Sequence, residues 1–317
     1  MGNWDDIAPL LPQTIKIGTR GSKLALAQAE EVKAKLLVAY PALTPERLEL
    51  VIITTSGDQI LDLNLSEIGG KGLFTKEIEE ALIDGSIDIA VHSMKDLPAF
   101  EPPLLVTECT LSREDPRDAF ISPKYHSIQE LPKGAVVGTS STRRQAQLLR
   151  IRPDVKVVPF RGNVQTRLQK LKDGVADATF LAVAGLNRIN ASDHITTIME
   201  PSDMLPAVAQ GAIGVQHRKD HPTMRAFVRP LNHEATAYCV RAERAFMKVL
   251  DGSCRTPMAA HAELDGDILE LKALIAKPDG TLVYKTSRKG TKDQAEQMGR
   301  DAGLELKTKD NGVILCA

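Results

Sequence analysis

Two kinds of apolar pattern alternate along the first two-thirds of the chain. Short β-branched or apolar runs predict strands over residues 15–19, 48–54 and 87–92. Between them, apolar residues three and four apart predict helices over 24–38 and 73–83, the second stopped at Gly85. The pattern then recurs. Residues 136–140 read as a strand leading into a helix over 142–152, which Pro153 ends. Residues 172–178 echo 83–89: in each, a helix stops at Asp-Gly and a strand starts two residues on. Strands alternating with helices predict α/β architecture with largely parallel pairing. Two echoes in the same order predict a duplicated lobe. A cleft between two such lobes would place ligands outside the carboxyl ends of the strands.

The last third differs. Ala235, Tyr238, Cys239, Ala242, Phe246 and Leu250 give one apolar face to a helix over 234–250. β-rich runs follow over 258–264, 268–276 and 282–286, with Asp279-Gly280 as a turn, and 294–306 has helical spacing. This predicts a small α+β domain. The charged, proline-containing segment 218–230 reads as the linker before it.

Composition narrows the classes. At 317 residues the chain calls for two or three domains. Lys plus Arg is 40 against 41 for Asp plus Glu, and aromatics are 4%, which argues against a globally basic or base-stacking nucleic-acid binder. No apolar run approaches the roughly 20 residues that span a bilayer. Residues 1–13 lack the basic start and apolar stretch of a secretory signal, so a cytoplasmic protein is expected. Four cysteines without a CxxC do not form a zinc knuckle or a disulfide framework. His217 and His221 share metal-ligand spacing, but no further ligand accompanies them and no metal is expected.

Candidate chemistry sits at strand ends. From Arg143 to Lys172 there are nine cations and one acid, Asp154. Lys170 and Lys172 suit a solvated helix face. Arg143 and Arg144 instead open a helix after the turn 138–141, where the backbone already attracts anions, so two guanidiniums there make sense if an anion occupies that place. Arg161-Gly162-Asn163 repeats the arrangement, as does Arg20-Gly21-Ser22, with Ser22 as a cap. Arginine suits carboxylate or phosphate, and no nucleotide cradle of the usual spacing is present. A small polyanion is the ligand expected. Gly69-Gly70-Lys71-Gly72-Leu73-Phe74 is a glycine-rich entry to a helix, readable as a lid or as a plain loop. His92-Ser93-Met94-Lys95-Asp96-Leu97-Pro98 places a Lys-Asp pair after a strand, readable as catalytic or as a surface ion pair. Cys254, beside Arg255 on a loop, is placed as a nucleophile or a covalent attachment point, whereas Cys239 reads as core and Cys109 and Cys316 as incidental.

Taken in order, these motifs resemble the porphobilinogen deaminase (hydroxymethylbilane synthase) family from Thr14 onward. The resemblance also rests on residues 114–120, 161–164, 181–186, 205–211 and 252–257. It implies two similar lobes of the type II periplasmic-binding-protein kind, with mixed, mostly parallel sheets, plus a small C-terminal α+β domain. The implied division is 1–111 with 212–229, 112–211, and 230–317. The family condenses four porphobilinogen molecules into a linear tetrapyrrole, releasing ammonia, on a dipyrromethane cofactor thioether-linked to a loop cysteine, here Cys254. Asp96 matches the catalytic aspartate, implied to be buried and to stabilise the cation left when ammonia departs, with Lys95 beside it. Ser141, Arg143, Arg144, Lys95, Asp96, Arg188 and Gly211 match cofactor-binding positions. Arg20, Ser22, Arg161, Arg167, Gln210, Lys71 and Phe74 match substrate-binding positions, and Asp58 an acid nearby. Each pyrrole carries an acetate and a propionate, so cations must line the cleft that gathers them. Glu67 stands where many relatives carry a base, and the cysteine loop reads Asp-Gly-Ser-Cys-Arg-Thr-Pro instead of the commoner Gly-Gly-Cys-Gln-Val-Pro. The implied protein is a cytoplasmic monomer whose partner is a small molecule, with no nucleic acid and no membrane. Residues 1–13 are expected to be peripheral. A two-lobed binding protein for an anionic solute explains the repeat and the arginines, but not Lys95-Asp96 together with Cys254. Nucleic-acid binding through 143–172 lacks interleaved aromatics.

Overall fold

The structure, a computed structural model, describes residues 4–59, 72, 74–250 and 257–315. From the start run α1 (Trp4–Ile7), β1 (Ile15–Thr19), α2 (Lys23–Ala39), β2 (Leu48–Ile52), α3 (Ser56–Gln59), α4 (Lys76–Ile83), β3 (Ile89–Ser93) and β4 (Leu105–Thr110). Then come β5 (Asp118–Ile121), β6 (Val136–Gly138), α5 (Thr142–Ile151), β7 (Lys156–Val158), α6 (Val164–Lys172), β8 (Ala178–Ala182), α7 (Val183–Arg188) and β9 (Thr197–Ile198). Last are β10 (Ile213–Arg218), α8 (Pro222–Val228), α9 (Glu234–Val249), β11 (Met258–Asp265), β12 (Ile268–Ala276), β13 (Val283–Thr291) and α10 (Ala295–Asp310). The described residues form two compact units, one from 4–59, 72, 74–113 and 212–237, the other from 114–211, 238–250 and 257–315.

In the first unit the sheet order is β2-β1-β3-β10-β4. β1 lies parallel to β2 and β3, while β10 runs antiparallel to both β3 and β4. Four strands thus point one way and β10 alone opposes them. In the second unit the order β7-β6-β8-β5-β9 repeats this plan, with β5 as the opposing strand. These are mixed, mostly parallel sheets, as expected, and the third sheet is the antiparallel β11-β12-β13.

The duplication extends to single hydrogen bonds. The Asp88 carboxylate accepts from Lys16 N–H at 2.8 Å, and Asp177 accepts from Val136 N–H at 2.8 Å. Gly85 and Gly174 both turn the chain with φ near +75 to +79° before these aspartates. The strands therefore begin at Ile89 and Ala178, later than expected, because each aspartate side chain closes the first rung. Gly18 and Gly138 occupy matching places: a Cβ would meet Ile87 Cδ1 at 2.2 Å or Phe160 Cδ2 at 2.4 Å.

Other expectations change as well. Segment 218–230 is not a linker: Met224, Phe227 and Val228 on α8 are buried in the core that β1 and α2 also fill. Pro222 starts this helix, since the first turn needs no N–H from it, and His221 caps it by accepting from Met224 N–H. Residues 4–13 are not peripheral, because Ile7 and Leu11 join the same core and Trp4 lies 5.1 Å from Tyr40. The helix expected over 73–83 starts only at Lys76.

Within the second unit the three-stranded sheet docks on α5. Ala146 packs with Leu205, Ala259, Leu274 and Ala276. Gly280, with φ +73°, approaches so closely that a Cβ would lie 2.6 Å from Ala146 O and Arg150 N. β13 runs on to Thr291, five residues beyond its expected end. Its alternately exposed polar residues hide the strand, which β12 holds through Ile268 opposite Thr291.

Candidate functional site

In the first unit the expected residues follow β1 and β3. Arg20 follows β1, and its guanidinium lies 4.2 Å from the Phe74 ring centroid, a cation–π contact. Ser22 caps α2, its Oγ accepting from Ala25 N–H at 3.2 Å. Lys95 and Asp96 form a single 3₁₀ turn directly after β3. Met94 and Leu97 are sunk in the core on either side of them, so the turn is fixed by its neighbours. Asp96 is half-buried, not buried as implied. Behind the turn, His92 lies 3.1 Å from Gln216 on β10. Burial drives the His92 pKa down to about 4 against the hydrogen bond to Gln216, so the ring is neutral at pH 7. Glu79 on α4, also buried, has its pKa raised by desolvation, which outweighs its contacts with Gln216 and Thr75.

In the second unit the residues follow β6, β7 and β8. Ser141 caps α5 by accepting from Arg144 N–H. Arg143 and Arg144, in its first turn, are 6% and 5% exposed. The anion between them is supplied by the chain itself. Asp118, fully buried at the start of β5, accepts from Arg143 Nη1 at 2.7 Å and from Arg144 Nη2 at 2.6 Å. Burial raises the Asp118 pKa, but the two guanidiniums more than reverse this and hold it well below the usual carboxylate range. Asp118 has no role in the sequence motifs above, although an acid opening the apolar run Ala119-Phe120-Ile121 is a signal for a buried ion pair.

The rest of this cluster is tightly tied. Arg143 Nη1 also donates to Leu205 O, and Arg144 Nη1 to Phe180 O. The Gln210 amide donates to Pro116 O at 2.7 Å and to Asp118 Oδ1 at 3.0 Å. Arg188 on α7 donates to Gly211 O at 3.0 Å. Gly211 has φ +90°, and a Cβ there would stand 2.3 Å from Glu114 O, so only glycine fits. Arg161 follows β7 and is half-buried, and Arg167 Nε donates to Gly162 O at 2.8 Å. Two guanidiniums against one carboxylate leave a net positive charge at the start of α5. Nε and Nη2 of Arg143 make no protein hydrogen bond among the described residues. This donor set fits an anionic group such as the carboxylates of a dipyrromethane.

Lys71, Glu67 and Cys254 lie outside the described residues, as does the Asp58 side chain. His217 and His221 diverge: His217 is buried in β10 with Nδ1 2.8 Å from Arg218 O, and His221 caps α8. No group of metal-ligating side chains occurs among the described residues. Cys109 is a core thiol with no part in the site. It is buried in β4, with Sγ 3.2 Å from Val228 O and a pKa pushed up to about 12 by burial.

Comparison with known proteins assigns the family. The family model "Porphobilinogen deaminase, dipyromethane cofactor binding domain" matches residues 15–226, and "Porphobilinogen deaminase, C-terminal domain" matches 237–308. The chloroplastic porphobilinogen deaminase of Oryza sativa subsp. japonica is 55% identical over 93% of this chain and 84% of its own. That of Nitrobacter hamburgensis is 53% identical over 92% of each chain. That of Paracoccus denitrificans is 54% identical over 92% of this chain and 93% of its own. Both lobes and the C-terminal region are therefore covered by one family, and the chain belongs to the porphobilinogen deaminases.

Proposed function

We propose that this chain carries out its family's reaction, with the strand-end residues described above as its machinery. It is a transferase of tetrapyrrole biosynthesis that condenses four porphobilinogen molecules stepwise into hydroxymethylbilane, releasing ammonia, and it uses a dipyrromethane cofactor. When bound, that cofactor supplies the pyrrole end on which the product is built. The carrying observation is placement. Asp96 and Lys95 follow β3, Arg20 follows β1, and Ser141, Arg143 and Arg144 follow β6, all at carboxyl ends of strands within their own sheets.

In this reading the Asp96 carboxylate stabilises the positive charge that develops as ammonia leaves the substrate, and holds pyrrole N–H groups. Lys95 orients carboxylates beside it. Ser141, Arg143, Arg144, Arg188 and Gly211 hold the cofactor's acidic side chains, and Cys254 holds the cofactor covalently. Arg20, Ser22, Arg161, Arg167, Gln210, Lys71 and Phe74 bind the incoming substrate. Ser22 and Ser141 are engaged as helix caps by their Oγ acceptors, which leaves each hydroxyl proton to donate. The proposed domains are 1–111 with 212–229, 112–211, and 230–317. In support of the return to the first lobe, β10 pairs with both β3 and β4. A cytoplasmic monomer acting on a small molecule, without nucleic acid, completes the reading. The net charge of −1 supports the last point, and no helix among the described residues is long and apolar enough to cross a membrane.

The intact mass of the purified protein tests the covalent assignment. The mass should exceed the sequence mass by one dipyrromethane, with the added mass on the peptide containing Cys254. An active preparation at the bare sequence mass refutes it.

A further inference from the structure

One buried carboxylate stands outside this machinery yet touches its backbone. Glu243, in the middle of α9, is 0% exposed. Its Oε2 accepts from Ala209 N–H at 2.6 Å and its Oε1 from Ala262 N–H at 2.8 Å. Ala262 lies on β11, the edge strand that begins at Met258, a few residues after Cys254. Ala209 is left-handed, with φ +57°, a conformation that disfavours any residue with a Cβ. Next to it are Gln210, tied to Asp118, and Gly211, whose carbonyl receives Arg188. An ionised carboxylate accepts strongly from backbone N–H groups, and strain of this kind persists only where surroundings hold it.

We propose that Glu243 is a positioning residue for the reaction. It holds Ala209-Gln210-Gly211 in its strained turn and fixes that turn to the strand following the cysteine segment. The inference rests on the reading that Gln210, Gly211 and Arg188 line the site. Gln has one acceptor oxygen, so Glu243→Gln must release one of the two N–H groups.

The experiment compares holoenzyme of Glu243→Gln, Ala209→Gly and the double variant by steady-state kinetics and intact mass. Glu243→Gln should lower kcat by about tenfold or more while the cofactor mass is retained, since small misplacements of site residues are costly. Ala209→Gly in the Glu243→Gln background should recover most of the loss, because glycine holds φ +57° without the carboxylate. A wild-type kcat in Glu243→Gln, or no recovery in the double variant, overturns the proposal. If Glu243→Gln does not fold, Ala209→Val strains the same turn from the other side and should lower kcat likewise; an unchanged kcat overturns it. Gln210→Ala separates the two readings. Unchanged KM and kcat there would remove Gln210 from the site, whereas a loss there with a normal Glu243→Gln would sink the positioning role alone.

Discussion

Replacing Asp118 by Asn changes one atom type in a sealed position and removes its charge. Asp118 is completely buried and meets two guanidiniums at 2.7 and 2.6 Å, so the variant leaves Arg143 and Arg144 facing each other without a counter-charge. Removing one partner of a buried pair costs about 3–5 kcal/mol, because the remaining charge stays desolvated. Asn keeps a carbonyl oxygen that can accept from one arginine, which places the expected loss near the lower end, about 3 kcal/mol. Urea unfolding of wild type and variant at pH 7 measures it directly. The pH dependence gives a second check. The folded pKa is depressed, so the carboxylate's contribution is complete above the unfolded value of about 3.9 and is lost as pH falls through the folded value. The gap between wild type and Asp118→Asn should therefore be constant from pH 8 to 6 and close only in strong acid. A loss below about 1 kcal/mol at pH 7, the range of an exposed pair, would refute the reasoning. A gap that closes near neutrality would show that another group is responsible.

Two further outcomes follow from burial and backbone. His92 has a folded pKa of about 4 against about 6.5 unfolded, so the unfolded chain binds the extra proton between these values. Its share of stability is present above pH 6.5 and is lost as pH falls toward 4, at up to about 1.4 kcal/mol per pH unit. His92→Gln should flatten the stability profile in that window, and parallel profiles would contradict the assignment. Gly280→Ala combines a left-handed φ with a Cβ 2.6 Å from two backbone atoms of α5 and should cost about 2–4 kcal/mol. Gly266→Ala has φ +57° but open space, so thermal unfolding should show a loss of only about 1 kcal/mol; equal losses in the two variants would remove the docking argument.

The sequence alone determined a good deal here, and for local reasons. Strand and helix periods depend on neighbours along the chain, so β1, α2, α5 and the repeat of the two lobes were legible from apolar spacing and Asp-Gly stops. The positions of Arg20, Lys95-Asp96, Arg143 and Arg144 at strand ends were legible for the same reason. What escaped depended on partners far away in sequence. Segment 218–230 looks like a linker because its charges are visible, while the burial of Met224 and Phe227 depends on a core built by α2 and β1. Arg143 and Arg144 imply an anion, but no spacing rule says that Asp118, 25 and 26 residues earlier, supplies it. Nor does any local signal show that Glu243 reaches Ala209, 34 residues away, because a carboxylate on a helix reads as solvated until the fold buries it. Tertiary structure decided these cases because a buried charge must find its partner wherever packing places it, and packing is not written in the spacing of one element.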